Sequence, residues 1–166
     1  YSNSQLFDAG FTANEMLSIG VSVSELKSFG FTALELKNEG VSLTNLNNVN
    51  YTIVELQAAG YNPTELMSIG YGLTDISGVY TLVTLEQHST LQDFIDANFS
   101  TSDILSLYTV SEIRINGSIS VSTLLSNGVS VNVMKTSGYT LSELITGGYS
   151  ISVLITVYTL IEIREE

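Results

Sequence analysis

An all-α solenoid of short capped helices is the fold this sequence predicts, and three observations predict it. The chain repeats at a period of about ten residues, a capping signature recurs inside the repeat, and Gly closes most repeats. About seventeen units are written end to end, each holding one helix of roughly two turns. The competing architecture is a β-solenoid.

The first seven units are decamers, from YSNSQLFDAG through YNPTELMSIG. Later units begin at Tyr71, Tyr80, Ser89, Phe99, Tyr108, Ile119, Val129, Tyr139, Tyr149 and Tyr158, so some hold nine or eleven residues. All nine tyrosines stand at unit position 1, otherwise held by Phe, Val or Ile and once by Ser. Position 2 is nearly always Ser or Thr, and position 6 is Leu, Ile, Met or Phe. Residues 1–166 are read as a single array, irregular near 81–98 and degenerate from 119.

Each element of a unit follows from its residues. Ser or Thr at position 2 is an N-cap, its oxygen accepting the backbone N–H of position 5. Thr12, Ser22, Thr32, Thr52, Thr109 and Thr140 are the clearest. Each is followed three residues later by Glu, which completes a capping box; Thr159 and Glu162 form another such pair. Positions 1 and 6 then become the two ends of a hydrophobic staple, as in Phe11–Met16, Phe31–Leu36 and Tyr51–Leu56. Pro63 follows Asn62 and falls on the first helical residue, where a missing N–H costs nothing. Gly at position 10 supplies the left-handed stop.

The β reading draws on alternating stretches such as Val21-Ser22-Val23-Ser24 and Ile119-Ser120-Val121-Ser122. A pentapeptide-type β-solenoid needs a small residue two places before each inward side chain. Ile19, Phe29, Leu34, Glu39 and Val54 stand there instead. Units of nine or eleven residues would also break a strand register, whereas turns between helices absorb them.

Two-turn helices do not persist alone, so positions 1, 3 and 6 are expected to be buried against neighbouring units. Consecutive helices are expected to stack as rungs in one layer or two rows. Ser, Lys, Asn and Glu should face outward, and a binding module would concentrate variation on one outward column such as positions 7 and 8.

Composition narrows the function. The formal charge is −12 with only five basic residues, Lys27, Lys37, Arg114, Lys135 and Arg164, which argues against nucleic acid as a partner. No apolar run approaches the ~18 residues of a membrane span. The N-terminus shows no signal-peptide pattern. Without Cys and with one His, neither a thiol nucleophile nor a zinc site can be assembled. His88 reads as a surface residue at a unit junction.

Of the 17 acidic residues, Glu15, Glu25, Glu35, Glu55, Glu65, Asp75, Asp93, Asp103, Glu112, Glu143 and Glu162 fall at position 5. A carboxylate there caps a backbone N–H at the positive end of a helix, so the column reads as structural and not catalytic. No D-x-D-x-D-G loop supports calcium. The Tyr column reads as core, with hydroxyls reaching the rim toward water or a glycan. Asn50, Asn98 and Asn116 each open an N-x-S/T tripeptide and are candidate glycosylation acceptors on the turn side.

The consensus in GFTALELKNEG and GYTLSELITGG resembles the tandem decapeptide arrays, of G-[YF]-[ST]-x-x-E-L-K-x-x type, of microbial surface and large-virus proteins. The resemblance is clearest over Phe11–Gly70 and implies a repeat scaffold, with no catalytic residue, metal or cofactor to carry over.

The expected function is therefore that of a non-enzymatic structural element: an extracellular fibre or filament subunit, or an adhesin-type surface stalk. The array opens on position 1 and closes on Arg164-Glu165-Glu166 without a polar capping unit. Both ends are expected to expose core to another copy, in head-to-tail contact. The alternative is a monomeric solenoid module that binds a peptide or glycan. The expected location is extracellular or at a cell surface, with a virion surface as the alternative.

Overall fold

The computed structural model describes residues 1–159. It is all-helical, with sixteen short helices and no strand among the described residues. The chain divides into two compact units, at Thr81 and Leu82. The first contains α1 (Asn3–Asp8), α2 (Ala13–Ser18), α3 (Val23–Phe29), α4 (Ala33–Asn38), α5 (Leu43–Asn48), α6 (Ile53–Ala58), α7 (Pro63–Ser68) and α8 (Leu73–Ile76). The second contains α9 (Leu82–Glu86), α10 (Leu91–Asp96), α11 (Thr101–Leu107), α12 (Val110–Asn116), α13 (Val121–Ser126), α14 (Val131–Thr136), α15 (Leu141–Thr146) and α16 (Ile151–Leu154). The division falls at the start of the irregular stretch 81–98.

Local chemistry explains where each helix starts. Thr32 is extended, with φ −77° and ψ 158°, and its hydroxyl accepts the Glu35 N–H at 3.2 Å. The Glu35 carboxylate returns to the Thr32 N–H at 2.7 Å. Thr12, Ser22, Thr52, Thr109 and Thr140 begin their helices with the same reciprocal pair. At Pro63 the cap is Asn62, and Pro63 occupies the first turn. The box expected at Thr159 and Glu162, and the tail Arg164-Glu165-Glu166, reach outside the described residues.

Two alternative turns explain where most of the helices stop. In a ten-residue unit the position-1 N–H of the following unit bonds the position-6 carbonyl five residues back, as in Val21 to Met16 at 3.0 Å. The position-10 N–H bonds three back, as in Gly20 to Leu17 at 3.0 Å. This pair is the Schellman closure, and it requires a left-handed residue at position 10. Gly30 supplies it with φ 99°, and Asn50 and Asn98 supply it with φ 64° and 60°. Nine-residue units omit that residue. After three of them position 1 bonds position 6 only four back, at Tyr80 to Ile76 (3.0 Å), Tyr108 to Ile104 (2.9 Å) and Tyr158 to Leu154 (2.9 Å), whereas Ser89 bonds Glu86 at 3.5 Å. The position-6 carbonyl is the acceptor in both closures, so a one-residue slip leaves the next helix correctly capped.

Within each unit the helices form two rows. Residues that touch across the stack lie about twenty apart: the Phe7 and Phe29 rings stack at 5.2 Å, and Asn3 donates to Glu25 at 3.0 Å. A helix therefore packs on the second helix along, as α4 does on α6 and α10 on α12. Two decapeptides make one coil. Single-file rungs are thereby excluded and the two-row arrangement stands.

The core follows this geometry. Position 6 is the central column: Met16, Leu26, Leu36, Leu46, Leu56, Leu66 and Ile76 are 0% exposed, as are Leu85, Phe94, Ile113, Leu124, Met134, Leu144 and Leu154. Each such side chain contributes roughly 1.5–3 kcal/mol by burial, which offsets the poor intrinsic stability of a two-turn helix. Position 1 closes the core from the turn side, with Tyr51, Tyr61, Tyr139, Tyr149 and Tyr158 buried.

Candidate functional site

The polar chemistry of this chain concentrates at the junction between one coil and the next. Three unit positions build it.

Position 5 supplies carboxylates, most of them exposed, and at Glu15, Glu35, Glu55 and Glu143 they hold the position-2 N–H. In Glu15, Glu35, Glu55 and Glu143 that backbone bond, foremost among the causes, keeps the carboxyl below its ordinary range. In Asp93 and Glu112 the cap hydroxyl comes first and the backbone N–H second. For Glu25 the Asn3 amide leads. Asp75 accepts the Gly72 N–H at 2.7 Å, completing half a box where no cap side chain exists. Asp103 accepts only the Ser100 hydroxyl, at 2.5 Å.

Position 7 supplies donors to helix ends. Lys27 Nζ donates to the Val49 carbonyl at 3.2 Å and to the Asn50 carbonyl, and it lies 4.5 Å from the Tyr51 ring centroid. Lys37 repeats the pattern on Ala59 and Gly60 at 3.0 and 3.2 Å, with its ammonium 3.8 Å from the Tyr61 centroid. Lys135 donates to Val157 at 2.8 Å and lies over Tyr158. Gln57 makes the neutral version, donating to Val79 at 3.0 Å. Arg114 lies over the Tyr139 ring and pairs with Glu143 at 3.3 Å. A cation at a helix C-terminus meets the negative end of the peptide dipoles, and the ring face adds to the attraction.

The expected outward lysines are thus corrected: Lys27 and Lys37 lie half-buried across the stack. At Lys27, Lys37, Gln57 and Lys135, position 7 is not a free outer column, because it fastens its repeat to a helix end two repeats along. One sequence signal was there to be read: all five basic residues of the chain stand at position 7.

Position 1 supplies hydroxyls. Tyr51 donates to the Phe31 carbonyl, Tyr80 to Tyr61, and Tyr149 to Val129. Tyr158 donates to Tyr139 at 3.4 Å. These hydroxyls turn inward to backbone, which corrects the expectation that they reach the rim. Burial, then the fields of Glu55 and Glu35, push the Tyr51 phenol up to about 12. Tyr71 reaches the Asn47 side chain instead, at 2.7 Å. Tyr108 departs from the rule. Its hydroxyl is buried without a partner, as is that of Ser89, the position-1 residue two units earlier.

The three sequon asparagines occupy different settings. Asn50 and Asn98 are exposed and hold the left-handed turn position that Gly fills elsewhere. Asn116 is half-buried, its amide donating to Gln92 at 3.2 Å. His88 is exposed and its N–H bonds the Leu85 carbonyl at 3.0 Å. In the first unit a groove of about 350 Å³ runs between Phe31, Leu34, Tyr51 and Glu55, with Lys27 at its edge. Among the described residues no group of His, Asp or Glu could hold a metal ion, and no helix is long and apolar enough to cross a membrane.

Residues 1–73 match the family model described as Decapeptide repeat region. Over this stretch the chain is similar to the decapeptide repeat family. The match spans the units that carry the most regular caps and Gly stops. From Ile119 onward helices continue at the same spacing as α13, α14, α15 and α16, although most of these units lack the acid. No curated protein and no solved structure matches the chain.

Proposed function

We propose that the chain is a structural repeat scaffold, without catalytic activity, that serves in an extracellular or surface-attached fibre. One observation supports this reading above the others. Most of the side chains that could do chemistry are engaged in holding the fold: the position-5 acids at helix starts, Lys27, Lys37 and Lys135 at helix ends, and tyrosine hydroxyls between coils. An active site needs groups whose charge and protons are available to a substrate, and these are committed to the fold.

Self-association through head-to-tail stacking is part of the proposal. The coil-to-coil contact is itself the repeated element, so a second copy placed one coil further along meets the same cap, cation and ring pattern. Such a contact is heterologous and yields an open series.

Light scattering combined with negative-stain microscopy over a rising concentration series tests this. Masses that grow without a fixed stop, and elongated particles, are the expected result. A species that remains monomeric at every concentration would overturn the head-to-tail part. If that monomer instead retained a peptide or glycan from an array, the binding-module alternative would replace the scaffold.

A further inference from the structure

Three departures from the repeat gather at one groove in the first unit. Position 4 holds Ser, Asn or Thr in the other repeats of this unit, but Leu34 and Val54 stand there in α4 and α6. Position 8 holds Asp, Ser or Asn from Asp8 to Ser68, except at Ala58. Leu34 and Ala58 both line the groove of about 350 Å³, together with Phe31, Tyr51 and Glu55. Because α4 packs on α6, Val54 lies one coil beyond Leu34 in the same row. Leu34 is 46% exposed and Val54 60%. In that row α2 precedes α4 and α8 follows α6, so the groove is not an end of the stack.

The fold does not require these aliphatic side chains. Position 4 is the second residue of each helix, and polar residues serve there in the neighbouring repeats. An exposed Leu or Val at this place collects only part of its burial energy. Ala58 likewise leaves a wall without the polar side chain found in the other repeats. A local rule broken without local gain points to a use for the surface it creates.

Charge selects the occupant. Residues 1–81 carry eight acidic and two basic side chains, and both lysines are turned to helix-end carbonyls. Glu35 and Glu55 directly follow Leu34 and Val54 in the chain. In each, the bonds from the cap N–H and the cap hydroxyl both fall on Oε2, and Oε1 has no partner among the described residues. The cap N–H holds both carboxyls below their ordinary range, so they are charged at neutral pH. An anionic oxygen ordered beside an apolar slot complements a cation carried next to an apolar group, and it repels a second copy of a chain with charge −12. We propose that the groove between Phe31, Leu34, Tyr51 and Ala58 docks a basic peptide segment of a partner protein. An apolar side chain of that segment enters between the coils, and a flanking Arg or Lys reaches Glu55 or Glu35. The volume stands at the small end of the range for ligand pockets, which suits a single anchor. This adds a partner to the scaffold and is independent of head-to-tail stacking.

Fluorescence anisotropy on the full chain at dilute concentration tests it, with a short labelled peptide alternating Arg and Phe and a counterpart alternating Arg and Ala. The wild type should bind the Phe peptide about tenfold more tightly, the worth of one partly buried anchor. Leu34→Ser/Val54→Thr restores the residue types of the neighbouring repeats; it should abolish that preference and melt as the wild type does. Ala58→Lys fills the groove and should abolish it too, which keeps the test open should the double variant fold poorly. Equal binding of the two peptides by the wild type would reduce the attraction to charge alone and overturn the proposal. A preference retained by Ala58→Lys would overturn it as well. So would spermine binding as tightly as the Phe peptide, which would assign the acidic surface to polyamines.

Discussion

The Tyr51 hydroxyl donates to the backbone carbonyl of Phe31, twenty residues earlier, and so ties one coil of the first unit to the next. Tyr149 does the same to Val129 in the second unit. Replacing either tyrosine by Phe keeps the ring and strands the carbonyl, a loss of roughly 0.5–1.5 kcal/mol. Tyr108→Phe removes a buried hydroxyl that has no partner and should be neutral or stabilising. Urea unfolding of the three variants separates these outcomes, and an equal loss at all three positions would contradict the account.

The capping column gives a second contrast. Thr32→Val preserves shape but removes the acceptor of the Glu35 N–H, and should cost about 0.5–2 kcal/mol. Ser150→Ala removes no side-chain cap bond and should cost little. Thermal melts followed by circular dichroism check both. Stabilisation by Thr32→Val would favour strand over helix at that site.

Acid should weaken the array. Glu15, Glu35, Glu55, Asp93, Glu112 and Glu143 have carboxyls held below their ordinary values, so the unfolded chain binds more protons than the folded one as the pH falls. Their stabilisation is complete above the unfolded carboxyl value near ~4.3 and is lost as the pH drops through the lower folded values. At the alkaline end the sign reverses. Tyr51, raised to about 12, favours folding while neutral, and that contribution fades as the pH climbs from the unfolded value near ~10 toward 12. Melting temperature against pH should show a plateau between these limits. A melting temperature that rises on acidification below pH ~4 would contradict the capping role.

Gly147 tests the closeness of the coils in the second unit. A Cβ there would lie 2.1 Å from Val121 Cγ1, although the backbone is ordinary right-handed helix at φ −75°. Gly147→Ala should therefore overpack the contact and cost about 1–3 kcal/mol. Gly78→Ala meets nothing within 4 Å and should be tolerated. Equal melting temperatures for the two variants would contradict the close approach.

The repeat, the caps at Thr12 through Thr140, the Pro63 start and the Gly stops were legible in the sequence because each depends on neighbours within ten residues. The coil was not, since the number of helices per turn depends on how each left-handed stop redirects the chain, a property of backbone angles rather than residue type. The tasks of Lys27, Lys37 and Tyr51 went unread for the same reason: their partners lie about twenty residues away. The slips at Tyr80 and Tyr158 were visible as counts. Their mechanism, a four-residue closure replacing a five-residue one, needed the hydrogen bonds. For the candidate site, position 5 was readable as a capping column, whereas the groove lined by Leu34 and Ala58 depends on which repeats stack.

Two decapeptides per coil is the claim on which the position-7 donors and the tyrosine bonds both depend. Proton–proton NOEs from the Tyr51 and Tyr149 rings in the isotope-labelled protein measure it most directly. The account predicts cross-peaks from Tyr51 to residues near Phe31, and from Tyr149 to residues near Val129, twenty positions back. Cross-peaks that instead link each ring to position 1 of the immediately preceding repeat, Val41 and Tyr139, would contradict it.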